Sequence, residues 1–168
     1  MLRRMPRWLL RAPIPLFRRA GPLFGGRFVL LEHLGRSTGQ RRYVLLEVVH
    51  REPGALVVIS GYGPGAQWYR NIAAEPKVRI WSGGLRDAAA VATPLSAEHG
   101  AAILESYRQH HPLAARVLGR TFGIPEFAKG RPVPLRRAEE LPLVRIGPRA
   151  GQSAREAGLR AKAGKLTK

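Results

Sequence analysis

The sequence contains no cysteine. That excludes disulfides, thiolate metal sites and a cysteine nucleophile together. Acidic residues are scarce: 11 Asp and Glu stand against 29 Lys and Arg, for a net charge of +18 with histidine neutral. No run reaches the ~18 consecutive apolar residues that a membrane-spanning helix requires. The histidines, His33, His50, His99, His110 and His111, show no metal-ligand spacing. There is no P-loop, zinc-protease or carboxylate-pair signature, and Val58 stands where a G-x-S-x-G elbow around Ser60 needs glycine. The chain therefore carries no acid–base or nucleophile constellation of its own. An enzyme built on it would draw its chemistry from a bound cofactor.

What is present begins with the placement of charge. The 168 residues, 45% of them hydrophobic, suit one globular domain with extensions. Residues 1–42 carry a net +9, residues 43–128 only +1, and residues 129–168 a net +8. A neutral middle with basic ends points to anionic partners such as phosphates, nucleic acid or membrane surfaces and says little about the fold. We expect a basic amphipathic arm over 1–25, a folded domain over 26–148 and a basic, flexible tail over 149–168. In the arm, Arg3, Arg4, Arg7, Arg11, Arg18 and Arg19 alternate with Trp8, Leu9, Leu10, Leu16 and Phe17. That mixture suits either an anionic lipid surface or a solvated arm lying on the domain. Arg11, Pro13 and Pro15 interrupt any signal-peptide apolar region, so the arm reads as retained, in a cytoplasmic protein with a peripheral place at the inner membrane face. The neutral middle lacks a basic stripe with interleaved aromatics, which argues against a nucleic-acid module.

Strand formers dominate 28–34 (FVLLEHL) and 43–49 (YVLLEVV), with a polar tip between them, which predicts a β-hairpin. A third strand, 55–60 (ALVVIS), is apolar enough to be central. Residues 67–75 make about two helical turns before Pro76, and strands follow at 78–81 and 87–95. Ser96 is placed to cap a helix through about Gln109, with helical spacing resuming at 113–118 until Gly119. Residues 123–142 are proline-rich and read as irregular, and 143–146 as a last strand. Short strands with few helical segments predict an α+β, β-barrel-like domain and not alternating βαβ units.

Two segments carry candidate chemistry. Gly35-Arg36-Ser37-Thr38-Gly39-Gln40-Arg41-Arg42 combines glycines, hydroxyls, an amide and guanidinium forks. It reads either as an anion cradle or as a solvated turn. The loop from Ser60 to Ala66 formally satisfies G-x-G-x-x-A. Pro64, a helix cut off at Pro76 and the lack of βαβ alternation remove the dinucleotide-binding reading. In the helix that follows, Trp68 and Tyr69 are either core anchors or ligand contacts, and the core reading is favoured for Trp68 by size. Asn71 lies one turn on, able to present its amide to the same ligand.

The run LLEHLGRSTGQRRYVLLEVV, followed by VVISGYGPGAQWYRNIAAEPKVRI, resembles the deazaflavin (coenzyme F-420)-dependent nitroreductase family, oxidoreductases of the split β-barrel type. The resemblance spans roughly Leu30 to Leu118, with a closing strand at 141–146. It implies an FMN-binding-like split barrel of about six mainly antiparallel strands. It also implies bound coenzyme F-420 (8-hydroxy-5-deazaflavin), with FMN or haem as alternative cofactors. By the same likeness Arg36, Thr38, Gly39, Gln40 and Arg42 hold the phosphate and acidic tail, and Ser60, Trp68, Tyr69 and Asn71 line the ring. The implied activity is hydride transfer from the reduced cofactor to a small, quinone-like or nitro-aromatic acceptor; the alternative is a non-catalytic carrier. Ser37 stands where many relatives have Lys or Arg, and Gln67 at a position that varies among them. Glu47 and His111 fall near the places of the pocket tyrosines of nitroimidazole-reducing members. Tyr43, Tyr62, Tyr107 and His111 are the candidate proton donors.

Overall fold

The computed structural model describes residues 26–148. The basic arm and tail expected at 1–25 and 149–168 lie outside the described residues. Six strands close into a barrel: β1 (Phe28–Leu34), β2 (Arg41–Glu52), β3 (Ala55–Ile59), β4 (Lys77–Ser82), β5 (Leu85–Pro94) and β6 (Leu143–Gly147). Their order around the barrel is β1-β2-β3-β6-β5-β4, and every neighbouring pair is antiparallel. Closure through β4 on β1, with Leu30 opposite Trp81, leaves no open sheet edge among the described strands. This is the α+β split barrel expected from the sequence.

Alternation decides which side chains fill it. Val29 and Leu31 of β1, Leu46 and Val48 of β2, Leu56 and Val58 of β3, and Val144 and Ile146 of β6 point inward and form one apolar core. Strand β3 is apolar on both faces because its outward residues, Val57 and Ile59, meet a second apolar layer. Val49, outward by alternation, joins this outer layer, and the register of β2 on β3 shifts at a bulge between Val48 and His50.

The outer layer is helical: α2 (Ala97–His110), α3 (Pro112–Phe122), α4 (Pro125–Lys129) and α5 (Leu135–Glu140). Ser96 caps α2 by accepting a hydrogen bond from the His99 amide at 3.3 Å. Two expectations need correction here. Gly119 does not end its helix, which continues to Phe122 and stops at Gly123 in the left-handed conformation. Residues 123–142 are not irregular but hold α4 and α5. The reason is packing: a Cβ on Gly119 would lie 2.6 Å from the Ala128 backbone nitrogen, so the bare glycine lets α4 dock on α3. The Arg137 guanidinium then bridges both carboxylate oxygens of Glu126 at 3.0 Å, tying α5 to α4.

A short helix, α1 (Gln67–Ala74), stoppers one end of the barrel, with Trp68 and Ile72 in the barrel core. No helix among the described residues is long and apolar enough to cross a membrane. Among them there is also no group of three His, Cys, Asp or Glu that could hold a metal ion.

Candidate functional site

The β1–β2 hairpin tip sits beside α1. Within the tip, the Gly35 carbonyl accepts from the Thr38 and Gly39 amides at 3.1 and 2.7 Å, and the Gly35 amide donates to the Gln40 carbonyl at 2.9 Å. Gly39 takes φ +63°, with nothing within 4 Å of where a Cβ would stand. At Gly35 a Cβ would lie 2.8 Å from both Arg42 Nε and Thr38 Oγ1. The missing side chain is what allows a guanidinium and a hydroxyl to converge above the loop. Thr38 Oγ1 also lies 3.4 Å from the Gln40 amide.

Arg36 is held from the helix side. Its backbone amide and Nη1 both donate to Asn71 Oδ1, at 3.2 and 3.0 Å, and Nη1 also donates to Gln67 Oε1 at 2.9 Å. Two segments more than thirty residues apart are thus locked together by one arginine. Gln67, uninformative in the sequence, is part of that lock. Sequence reasoning also missed His33, which is buried at 4% exposure with Nδ1 3.2 Å from Asn71 Nδ2. Alternation along β1 could have found it, since Val29 and Leu31 point inward and residue 33 follows on the same face. Burial pushes the His33 imidazole below its ordinary 6.5. A backbone hydrogen bond at Leu34 partly opposes this, and the nearby Arg42 charge adds to it.

Of the residues singled out from the sequence, Arg36, Thr38, Gly39, Gln40, Arg42 and Asn71 share this end of the barrel. Trp68 lies in the barrel core, as its size favoured, with Tyr69 half-buried and edge-on to it at 5.9 Å between ring centres. Ser60 is fully buried and donates its hydroxyl to the Gly63 carbonyl at 2.8 Å, so it closes its own loop. The G-x-G-x-x-A reading fails on topology as well: β4 lies between β5 and β1, with no parallel crossover from β3.

A second feature lies farther along β2. An open groove of about 820 Å³ runs between Val49–Arg51, the last turn of α2 at Tyr107 and His110, and His111 at the α2–α3 junction. The Tyr107 hydroxyl donates to Glu47 Oε1 at 2.7 Å, and Arg27 pairs with the same carboxylate at 3.2 Å. Burial, then the Glu47 carboxylate, raises the Tyr107 phenol well above the usual tyrosine range, so it stays protonated. Tyr43 donates to Glu32 Oε2 at 2.6 Å on the outer barrel wall. Tyr62 is exposed and meets the edge of Phe122. Of the four candidate proton donors, Tyr107 and His111 line the groove, and the Tyr107 hydroxyl is committed to Glu47.

Comparison with known proteins adds a family. Residues 17–121 match the sequence profile of the family described as F420H(2)-dependent quinone reductase. Among solved structures, the chain is similar to an F420-H2 dependent reductase (FDR-A), at 22% identity over 71% of this chain and 93% of that one, with a TM-score of 0.46. It is also similar to the haem storage protein HutZ of Vibrio cholerae (19% identity, 83% and 89% covered, TM-score 0.42). A third likeness is a pyridoxamine 5'-phosphate oxidase-related, FMN-binding protein of Nostoc punctiforme (15% identity, 88% and 83% covered, TM-score 0.44). No curated protein matches.

Proposed function

The chain belongs to the F420H(2)-dependent quinone reductase family, and from that premise we propose that it passes a hydride from reduced coenzyme F-420 to a small quinone-like acceptor held in the groove beside α2. That it is an F-420-dependent oxidoreductase follows from the family, and the FMN alternative is not needed. The acceptor and the residues that serve it are our reading.

The observation that carries this reading is the convergence of Thr38 and Arg42 over the bare Gly35, beside an Arg36 clamped by Gln67 and Asn71. The donor set fits the group. Guanidinium and hydroxyl donors around an exposed turn complement a phosphate and the carboxylates of an acidic tail. Arg36, Thr38, Gly39, Gln40 and Arg42 would hold that end. Asn71 acts through Arg36, and Ser60, Trp68 and Tyr69 serve the ring's side by fixing the loop and helix on which they sit. From Arg42 to Glu47 along β2 is about 16 Å at ~3.3 Å per residue. A ligand anchored at the tip and extended along this strand therefore reaches the groove.

When bound in its reduced form, the coenzyme supplies two electrons and a hydrogen to the acceptor. The protein's part is to orient the acceptor, exclude water and deliver the balancing proton. We assign that proton to His111, because Tyr107 is held protonated by Glu47. The arm over 1–25 suits a lipid-borne acceptor by its arginines and aromatics.

Titration of the purified protein with oxidised and reduced coenzyme F-420, followed by turnover with a soluble naphthoquinone, tests the proposal. Saturable binding with quinone-dependent reoxidation is expected. Binding without turnover would leave a carrier in place of a reductase, and no binding would end the cradle reading.

A further inference from the structure

The Asn71 amide has a fixed orientation. Its Oδ1 receives two N–H donors from Arg36, so its Nδ2 is turned toward His33 Nδ1, 3.2 Å away. An amide nitrogen only donates, so His33 Nδ1 must be an acceptor. The imidazole is then neutral, with its proton on Nε2. Arg36, Asn71 and His33 form one directed chain that runs from the exposed loop into the buried barrel mouth.

We propose that His33 is a positioning residue for the anion cradle: as a neutral acceptor it holds the Asn71 amide in the orientation that fixes Arg36, and its protonation releases Arg36. The inference rests on the cradle reading above. A charged imidazole has N–H groups at both ring nitrogens. Nδ1–H would then face the Asn71 NH2, donor against donor, and the amide would have to rotate. Rotation takes Oδ1 away from the Arg36 amide and Nη1 at once. Burial makes that charged form costly in its own right.

The charged surroundings of His33 are set by the pleat. Arg42 is its register partner on β2, and Arg36 is reached through Asn71. Glu32 and Arg41 of the same hairpin fall on the outward alternation, paired with each other at 3.7 Å. On β4, Arg79 stands opposite Glu32 and pairs with Asp87 at 2.5 Å. The helix presents the amides of Gln67 and Asn71 to Arg36. The Arg42 guanidinium near the ring acts against its protonation, and the carboxylates of Glu32 and Asp87 pair with arginines on the other face.

Two measurements test this. Long-range nitrogen–proton NMR of the His33 ring in the free protein reads the tautomer directly. A neutral ring protonated on Nε2 at pH 7 is expected, and a charged ring or an Nδ1–H tautomer overturns the proposal. Binding of coenzyme F-420 is then measured from pH 7.5 to 5.5 in the wild type, His33→Asn and His33→Leu. Asparagine keeps an acceptor near the Nδ1 position without a titrating ring. It should bind within about twofold of wild type at pH 7.5, whereas His33→Leu should lose tenfold or more. As the pH falls toward 5.5 and the ring begins to protonate, the wild type should weaken relative to His33→Asn, any titration of the coenzyme itself cancelling in that ratio. A constant ratio across the range overturns the proposal even if His33→Leu fails to fold. Arg36→Ala separates this idea from the reading beneath it. Loss of affinity in Arg36→Ala with none in His33→Leu refutes the role of His33 alone. Wild-type affinity in Arg36→Ala refutes the cradle.

Discussion

Replacing Gly35 by alanine should separate the binding of the coenzyme from the stability of the fold. The new Cβ would stand 2.8 Å from Arg42 Nε and from Thr38 Oγ1, where ordinary contact begins at 3.4 Å, so both groups must retreat by at least about 0.6 Å. Arg42 and Thr38 are exposed side-chain ends and can move. Gly35 has no positive φ, so the backbone accepts alanine. Restricting the unfolded chain is worth about 0.4–1 kcal/mol in the folded state's favour, which offsets the displacement. Net stability should stay within ~1 kcal/mol, or roughly 2–4 °C in melting temperature for a chain of this size. Affinity should not survive as well. Losing one charge-assisted hydrogen bond costs about 1.5–3 kcal/mol, roughly 10- to 150-fold in Kd. Calorimetric titration with coenzyme F-420 and a thermal melt on the same preparation read both quantities. Unchanged affinity would refute the claim that Thr38 and Arg42 converge on the ligand, and a melt lowered by 10 °C would show that the tip is a structural corner.

Other changes should behave differently. Arg42→Ala should weaken coenzyme binding by about 1.5–3 kcal/mol with an unchanged melting temperature, checked by the same two measurements. Gly119→Ala should do the reverse: its Cβ meets the Ala128 backbone at 2.6 Å, and overpacking of this kind costs about 1–3 kcal/mol, read as a lowered urea midpoint with binding retained. Tyr107→Phe should leave the pH dependence of turnover unaltered while His111→Ala lowers kcat, and the opposite pattern would move the proton donor to Tyr107. The hydrogen bond from Arg108, outweighing burial, holds the Glu105 carboxyl at about 2 against an ordinary 4.5. The unfolded chain then binds more protons between those values, so stability is present above pH 4.5 and falls as the pH drops toward 2. Urea midpoints at pH 5 and pH 3 should converge in Glu105→Gln relative to wild type.

Much of the barrel was readable in advance because its signals are local. Strand β1 begins and ends at Phe28 and Leu34 as its strand formers predict, and Ser96 opens α2 through its own hydroxyl. The 123–142 stretch was misread because its helices are too short to show a period. They form where Gly119 leaves room and the Glu126–Arg137 pair ties them, which are tertiary facts. The hairpin tip's donors were visible as a compact cluster between glycines. Its support was not, since the pairing of Arg36 with Gln67 and Asn71 spans more than thirty residues. His33 was considered only for metal spacing, a test blind to which way a strand residue points.

Among the described residues the two larger apolar clusters are separate, one inside the barrel with α1 and one between the barrel wall and α2–α5. The hairpin tip and α1 hang on the first, and the α2 wall of the groove hangs on the second. Substitutions that reshape α2 and α3 can therefore accumulate over evolutionary time without disturbing the half that, on the reading proposed above, grips the coenzyme. One ancestral scaffold with this division could radiate into enzymes for differently shaped oxidants while keeping a common source of electrons.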